Sequence, residues 1–425
     1  MKARLLLVAV VAAACSRTPA PQPPAAAPVA APAPAPVAAP PAAAAPPAAA
    51  PVAPPEPPLE YRSDPAMLVD RATVGTGAHF LAVSESPQAS QVGRDMLAAG
   101  GNAVDAAVAL AFALAVTHPT AGNIAGGGFA VVRTGPGKAV ALDFREVAPA
   151  AATADMYLDK DGNVTGASLH GDLAVGVPGS VAGLWALHKK LGKKPWKAVV
   201  APAIALARDG FEVTEKLHQT IAALAPMLAK APATAGLWLP NGIARQTGEK
   251  LAIPELAAVL TRIADRGPDG FYKGETAAAI VAEMKAGGGI ITADDLARYK
   301  PVWREPLRFG YRGYSLASMP LPSSGGIVLA MTAGMLGKLE LGKLPWYGAE
   351  HVHWLVEVWR RAFAARNELL ADPASVKGIP FAKLMSQPYL DKLFATIGDK
   401  ATPSRQVSAL LEGDHTTNLC VVDAS

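Results

Sequence analysis

Apolar and polar positions fall into clear blocks from about residue 88 onward. Gln88–Ala99 has helical composition and runs into Gly100-Gly101, a suitable stop. Ala103–Val116 is almost entirely Ala, Val and Leu, carries one acid, Asp105, and is shorter than a membrane span. It predicts a buried helix capped by Asn102. Phe129–Arg133 and Lys138–Phe144 flank Gly135-Pro136-Gly137 and predict a hairpin. Further helices are predicted over Ser180–Leu191, Trp196–Arg208, Pro254–Arg266, Thr276–Ala286 and Ala349–Leu370. Thr292 with Asp295 fits a capping box that opens a short helix ending near Tyr299. The run Thr416–Asp423, TTNLCVVD, reads as a strand, and there is no internal repeat.

The first 58 residues follow a different pattern. Met1–Cys15 reads MKARLLLVAVVAAAC: Lys2 and Arg4, a short apolar stretch, three alanines, then Cys15. That is an export signal, too short to cross a bilayer as a helix. Small residues ending in a cysteine resemble a bacterial lipoprotein signal, in which Cys15 is lipidated; an ordinary signal peptide cut after an A-x-A site is the alternative. Residues 19–58 hold 17 Pro and 18 Ala in 40 positions. Pro donates no backbone hydrogen bond and Ala has little surface to bury, so no core forms. At ~3.1 Å per residue this tether reaches on the order of 100 Å. The expected organisation is therefore signal 1–15, tether 16–58, a globular region 59–415 and a short terminal piece 416–425. The location is expected to be periplasmic or cell-surface, with membrane contact through the lipid anchor only.

Lys+Arg 39 against Asp+Glu 35 leaves +4 over 425 residues, too mild a balance for a nucleic-acid partner. Two cysteines exclude a disulfide framework and a cysteine-rich zinc site. His351 and His353 are two apart, so they do not share a helical face. The glycines at 126–128 are followed by Phe129, not by Lys and a helix, which excludes a Walker loop and a dinucleotide fingerprint. Ser323-Ser324-Gly325-Gly326 lacks the glycine two before serine that a nucleophile elbow uses. By spacing alone no active site stands out, and a Thr-Thr pair at a strand start reads as structural.

Several segments taken together change that. Ala89–Gly128, Leu142–Pro149 (LDFREVAP), Asp155–Leu158, Val175–Gly183 (VGVPGSVAG), Ala201–Phe211, Gly267–Gly274 (GPDGFYKG), Gly289–Tyr299, Tyr311–Gly326 and Thr416–Asp423 resemble, in order and spacing, the gamma-glutamyltransferase family, also called gamma-glutamyl transpeptidase or glutathione hydrolase. The resemblance implies an α/β N-terminal nucleophile hydrolase, an αββα sandwich shared between two subunits. It implies a precursor that cuts itself between His415 and Thr416. Thr416 is then the nucleophile: its hydroxyl is weak alone, and the freed α-amine beside it accepts the proton. That amine's reference pKa of ~8 leaves a useful unprotonated fraction near neutral pH. Arg145, in Asp143-Phe144-Arg145-Glu146, is implied to pair with the α-carboxylate of the glutamyl group. A planar guanidinium engages both oxygens at once; the bland alternative is an ion pair with Glu146 or another acid. Gly126–Gly128 and Ser323–Gly326 are expected to shape backbone near the site.

The implied activity is transfer or hydrolysis of gamma-glutamyl groups from glutathione or related amides to an amino acid, a peptide or water, with no metal or organic cofactor. Only ten residues run from Thr416 to Ser425, whereas the family's small subunit continues much further. The sandwich is therefore expected to be incomplete, the small-subunit portion missing, and the terminal strand without a sheet to join. Thr416–Cys420 also departs from the commoner Thr-Thr-His-Tyr-Ser. A related acylase on another amide, and an inactive ligand-binding surface lipoprotein, remain the alternatives.

Overall fold

The structure is a computed structural model that describes residues 76–403, 407 and, for the backbone, 420–422. The signal and the tether lie outside the described residues. The chain begins with β1 (Leu81–Val83), α1 (Pro87–Ala98), α2 (Ala103–Thr117), and the hairpin β2 (Phe129–Gly135) and β3 (Lys138–Asp143). There follow α3 (Ser180–Leu191), α4 (Trp196–Asp209), β4 (Phe211–Glu212), α5 (Glu215–Leu228), α6 (Pro232–Trp238), β5 (Lys250–Leu251) and α7 (Pro254–Arg266). Next come α8 (Asp269–Tyr272), α9 (Gly274–Gly287), α10 (Ala293–Arg298), β6 (Val302–Arg304), β7 (Leu307–Tyr311) and β8 (Tyr314–Ser318). The last elements are α11 (Gly325–Leu336), α12 (Ala349–Leu369), α13 (Phe381–Leu384), α14 (Gln387–Phe394) and β9 (Cys420–Val422).

Local chemistry accounts for the boundaries. Pro87 opens α1, where its missing N–H costs nothing, and the Ser86 hydroxyl accepts from Ala89 N. Asn102 caps α2 reciprocally with Asp105: Asn102 N donates to Asp105 Oδ2 at 2.9 Å, and Asp105 N to Asn102 Oδ1 at 2.9 Å. Asp105 is fully buried, and its other oxygen takes the backbone N–H groups of Lys193 and Lys194 at 2.9 and 3.1 Å. A buried charge met by so many donors is tolerated, and here it ties the start of α2 to the turn between α3 and α4.

Apart from a small group of Ala89, Leu110, Ala113 and Leu114, two apolar clusters fill the interior among the described residues. The larger gathers α2, α3, α4, α7 and α9 against β3, with Phe112, Leu142, Leu260 and Ile263 essentially inaccessible. The smaller joins β7 to α11, α12 and α14 through Ile327, Met331, Val358 and Leu390. Each such side chain contributes roughly 1.5–3 kcal/mol by leaving water.

The strands form short antiparallel groups: β2–β3–β6, β1–β9, β4–β5 and β7–β8. The terminal strand therefore does find a partner, contrary to the expectation from sequence. Leu81 faces Val422, Ala82 faces Val421 and Val83 faces Cys420. Its edge is supplied by β1, more than 330 residues earlier in the chain, a pairing that no local pattern announces. Among the described residues no helix is long and apolar enough to cross a membrane.

Candidate active site around Arg145

Beyond β3 the chain turns outward, and Arg145 sits on this corner. Asp143, 7% exposed, organises it. Asp143 Oδ2 accepts Nε and Nη2 of Arg304 from β6 at 3.0 and 2.7 Å, and Asp143 Oδ1 accepts the backbone N–H of Arg145 at 3.0 Å. Phe144, the next residue, is buried as an apolar pin. Phe144 N donates to Gly128 O at 2.9 Å, and its ring lies against Gly183, where an added Cβ would stand 2.1 Å from Phe144 Cγ. Val147 then pairs with Val177 in an isolated antiparallel bridge.

The glycines at 126–128 permit a close approach of the main chain here. Gly126 O accepts both Gly179 N and Ser180 N, at 2.7 and 2.9 Å, which fastens the glycine run to the start of α3. A Cβ on Gly127 would meet Glu146 N at 2.6 Å, Glu146 Oε2 at 2.6 Å and Phe144 O at 2.7 Å. The run thus packs directly against the Arg145 corner. Ser323–Gly326 leads into α11, and Ser324 Oγ accepts from Arg366 Nε of α12 at 3.0 Å.

Arg145 itself is exposed, with its guanidinium carbon 5.9 Å from the Phe129 ring centroid. Among the described residues its side chain has no ion pair, with Glu146 or any other acid. The backbone beneath it is held firmly. Tyr299, just past α10, donates its hydroxyl to Arg145 O at 2.8 Å. Burial, aided by the negative charges of Asp143 and Glu146, raises the Tyr299 pKa well above the phenolic range, so that hydroxyl keeps its proton. The Tyr299 ring stacks on Tyr272 at 6.0 Å and 4°, and Tyr272 donates to Pro178 O at 2.8 Å. The arrangement offers an exposed cation on an immobilised main chain, suited to a carboxylate.

Cys15, His415 and Thr416 lie outside the described residues. The chain on either side of the His415-Thr416 bond is anchored: downstream by β9 on β1, upstream by Thr402. Thr402 Oγ1 donates to Glu357 Oε2 at 2.6 Å, Thr402 N to Glu357 Oε1 at 3.2 Å, and Arg360 Nη1 donates to Thr402 O at 2.7 Å. Arg361 Nη1 also reaches Glu357 Oε2 at 2.6 Å. Burial alone would raise the Glu357 pKa, but the Thr402, Arg361 and Arg360 hydrogen bonds outweigh it and bring it down to about 2. Neither this clamp nor Tyr299 is readable from sequence, because each bond joins residues far apart in the chain. The two histidines of α12 have separate partners: His351 Nδ1 accepts from Tyr347 N, and His353 Nε2 meets Gly398 O. No group of three or more His, Cys, Asp or Glu among the described residues could hold a metal ion.

The gamma-glutamyltranspeptidase family model matches residues 89–425. The chain belongs to the gamma-glutamyltranspeptidase family. Glutathione hydrolase proenzyme of Pseudomonas sp. (strain A14) is 44% identical over 341 residues, 79% of this chain and 59% of that protein. The chain thus spans well under two thirds of this relative's length. The crystal structure of Helicobacter pylori gamma-glutamyltranspeptidase superposes with a TM-score of 0.76 at 41% identity, covering 79% of this chain and 97% of that one. Acylase ACY 1 proenzyme of Pseudomonas sp. (strain V22) is 39% identical over 363 residues, 82% of this chain and 64% of that protein. With these neighbours the fold class is that of the N-terminal nucleophile hydrolases, mixed α and β, as the sequence implied.

Proposed function

We propose that this chain transfers gamma-glutamyl groups, or hydrolyses them, from glutathione and related amides after cutting itself between His415 and Thr416. The observation that carries the reading is the Arg145 corner: an exposed guanidinium without an ion-pair partner among the described residues, on a backbone held by Asp143 and Tyr299. It fits the donor's α-carboxylate, which a bidentate guanidinium fixes in both place and angle.

In this reading the Thr416 hydroxyl attacks the His415 carbonyl carbon. The acyl group moves from nitrogen to oxygen, and water opens the resulting ester, leaving a His415 carboxylate and a free Thr416 amine. That amine takes the hydroxyl proton as the oxygen attacks the gamma-carbonyl of a donor held by Arg145. The departing amine leaves with a proton, and an amino acid, a peptide or water accepts the glutamyl group from the ester. The remaining small-subunit portion is the partner that completes the pocket. Export and lipidation at Cys15 would place the activity outside the cytoplasm, with the tether spacing it from a membrane.

The test is steady-state release of p-nitroaniline from gamma-glutamyl-p-nitroanilide by the full gene product. Arg145→Ala should raise the donor KM on the order of 100-fold, as expected when one partner of a charge pair is removed. An unchanged KM would overturn the assignment. The likeness to Acylase ACY 1 proenzyme favours one second reading, an acylase on a different amide. Faster turnover of a glutaryl amide, which keeps the terminal carboxylate but lacks the α-amine, than of the glutamyl amide would establish it.

A further inference from the structure

The short helix α10 reaches the segment that follows β3 at two points. Tyr299 Oη donates to Arg145 O at 2.8 Å, and Asp295 Oδ1 accepts from Ala150 N at 2.9 Å. The two bonds bracket Glu146–Pro149. The helix is itself fixed, because Asp295 Oδ2 takes both Thr292 N at 2.9 Å and Thr292 Oγ1 at 2.7 Å in a capping box. Behind the Tyr299 ring, Tyr272 supplies a parallel aromatic face that is pinned to Pro178.

Space for this phenol is kept open by a glycine. A Cβ on Gly179 would come within 2.2 Å of Tyr299 Oη and 2.0 Å of Phe144 O. On the other side, the Arg145 N–H is held by Asp143. Side chains thus grip both main-chain polar atoms of Arg145, while its guanidinium is left in the open. A hydroxyl that merely satisfied a carbonyl would matter for stability alone, since the Arg145 carbonyl lies on an exposed corner where water could replace it.

We propose that Tyr299 is a positioning residue for Arg145: its hydroxyl fixes the Arg145 carbonyl, and so the base of the side chain, in the orientation from which the guanidinium meets the carboxylate of a gamma-glutamyl donor. Tyr299 touches no substrate atom in this scheme and acts only through Arg145. The inference rests on the reading of Arg145 proposed above.

The test is a double-mutant cycle in the full gene product, with gamma-glutamyl-p-nitroanilide as donor. Tyr299→Phe should raise KM about three- to tenfold, the effect of one lost neutral hydrogen bond, with kcat and the thermal midpoint held. On an Arg145→Ala background the same substitution should leave KM unchanged within about twofold, because the residue it serves is gone. No change in KM for Tyr299→Phe, or an equal rise on both backgrounds, overturns the proposal. A parallel fall in kcat and thermal midpoint also overturns it, by assigning Tyr299 a structural role. If Arg145→Ala leaves KM unchanged, or the wild-type protein shows no gamma-glutamyl activity, the reading beneath fails instead and takes this one with it.

Discussion

Substituting Gly127 by alanine adds one methyl group at the place where the glycine run touches the Arg145 corner. The new Cβ would lie 2.6 Å from Glu146 N and Oε2, and 2.7 Å from Phe144 O. The carboxylate oxygen can swing away, but the other two atoms are main chain. Ordinary contact begins near 3.4 Å, so the peptide between Arg145 and Glu146 must retreat by roughly 0.4–0.8 Å. It cannot do so freely, since Asp143 and Tyr299 hold Arg145 from two sides. Overpacking of this kind costs about 1–3 kcal/mol of stability. A displacement of up to about 1 Å in a group that orients substrate costs as much as roughly 100-fold in rate. We therefore expect kcat/KM for gamma-glutamyl-p-nitroanilide to fall by about 10–100-fold, mostly through KM, with a loss of a few degrees in thermal midpoint. Steady-state kinetics and thermal melts on the same preparation measure both. Wild-type KM in a folded Gly127→Ala variant would refute the argument that this glycine places Arg145.

Three further outcomes follow from other parts of the molecule. Gly183→Ala, whose Cβ would stand 2.1 Å from Phe144 Cγ, should destabilise by more than Gly127→Ala, to at least about 3 kcal/mol in urea unfolding; equal or smaller losses would show that the Phe144 ring is free to move. Glu357→Gln leaves Arg361, 6% exposed, without a full counter-charge and should cost about 3–5 kcal/mol at neutral pH by the same assay, whereas a loss under about 1 kcal/mol would argue against a buried clamp. Because the Glu357 pKa is depressed from 4.5 to about 2, its contribution is fully present above the unfolded value and is lost as pH falls through the folded one. Thermal midpoints measured between pH 5 and 2 should accordingly fall more steeply in the wild type than in Glu357→Gln, and parallel curves would contradict the assignment.

Much of the local structure was legible in the chain. Asn102 and Thr292 each cap a helix as the pattern implied; the box expected at Thr292 forms with Asp295, and Asn102 forms one with Asp105 as well. The hairpin around Gly135-Pro136-Gly137 also forms, because short strands rich in valine flank residues that favour a reversal. Helix α11 was not readable in the same way. Its residues are apolar nearly all round, so no periodicity marks it, and Ser323-Ser324-Gly325-Gly326 ahead of it looks like a loop. The candidate site divides along the same line. Arg145 stands out because the family motif is contiguous in sequence. The groups that hold it are spread over 150 residues: Asp143 meets Arg304 across a sheet, and Tyr299 arrives from the end of α10. Such contacts depend on tertiary packing and leave no trace in local spacing. The β1–β9 pairing is the extreme case, since a strand of three residues carries too little pattern to reveal its partner.

The most direct test of self-cleavage is the covalent state of the protein after expression. Intact-mass measurement and N-terminal sequencing of the purified full gene product should find a second polypeptide beginning Thr-Thr-Asn-Leu-Cys, absent from a Thr416→Ala variant. A single unbroken chain from the wild-type gene, without activity toward glutathione, would contradict the account.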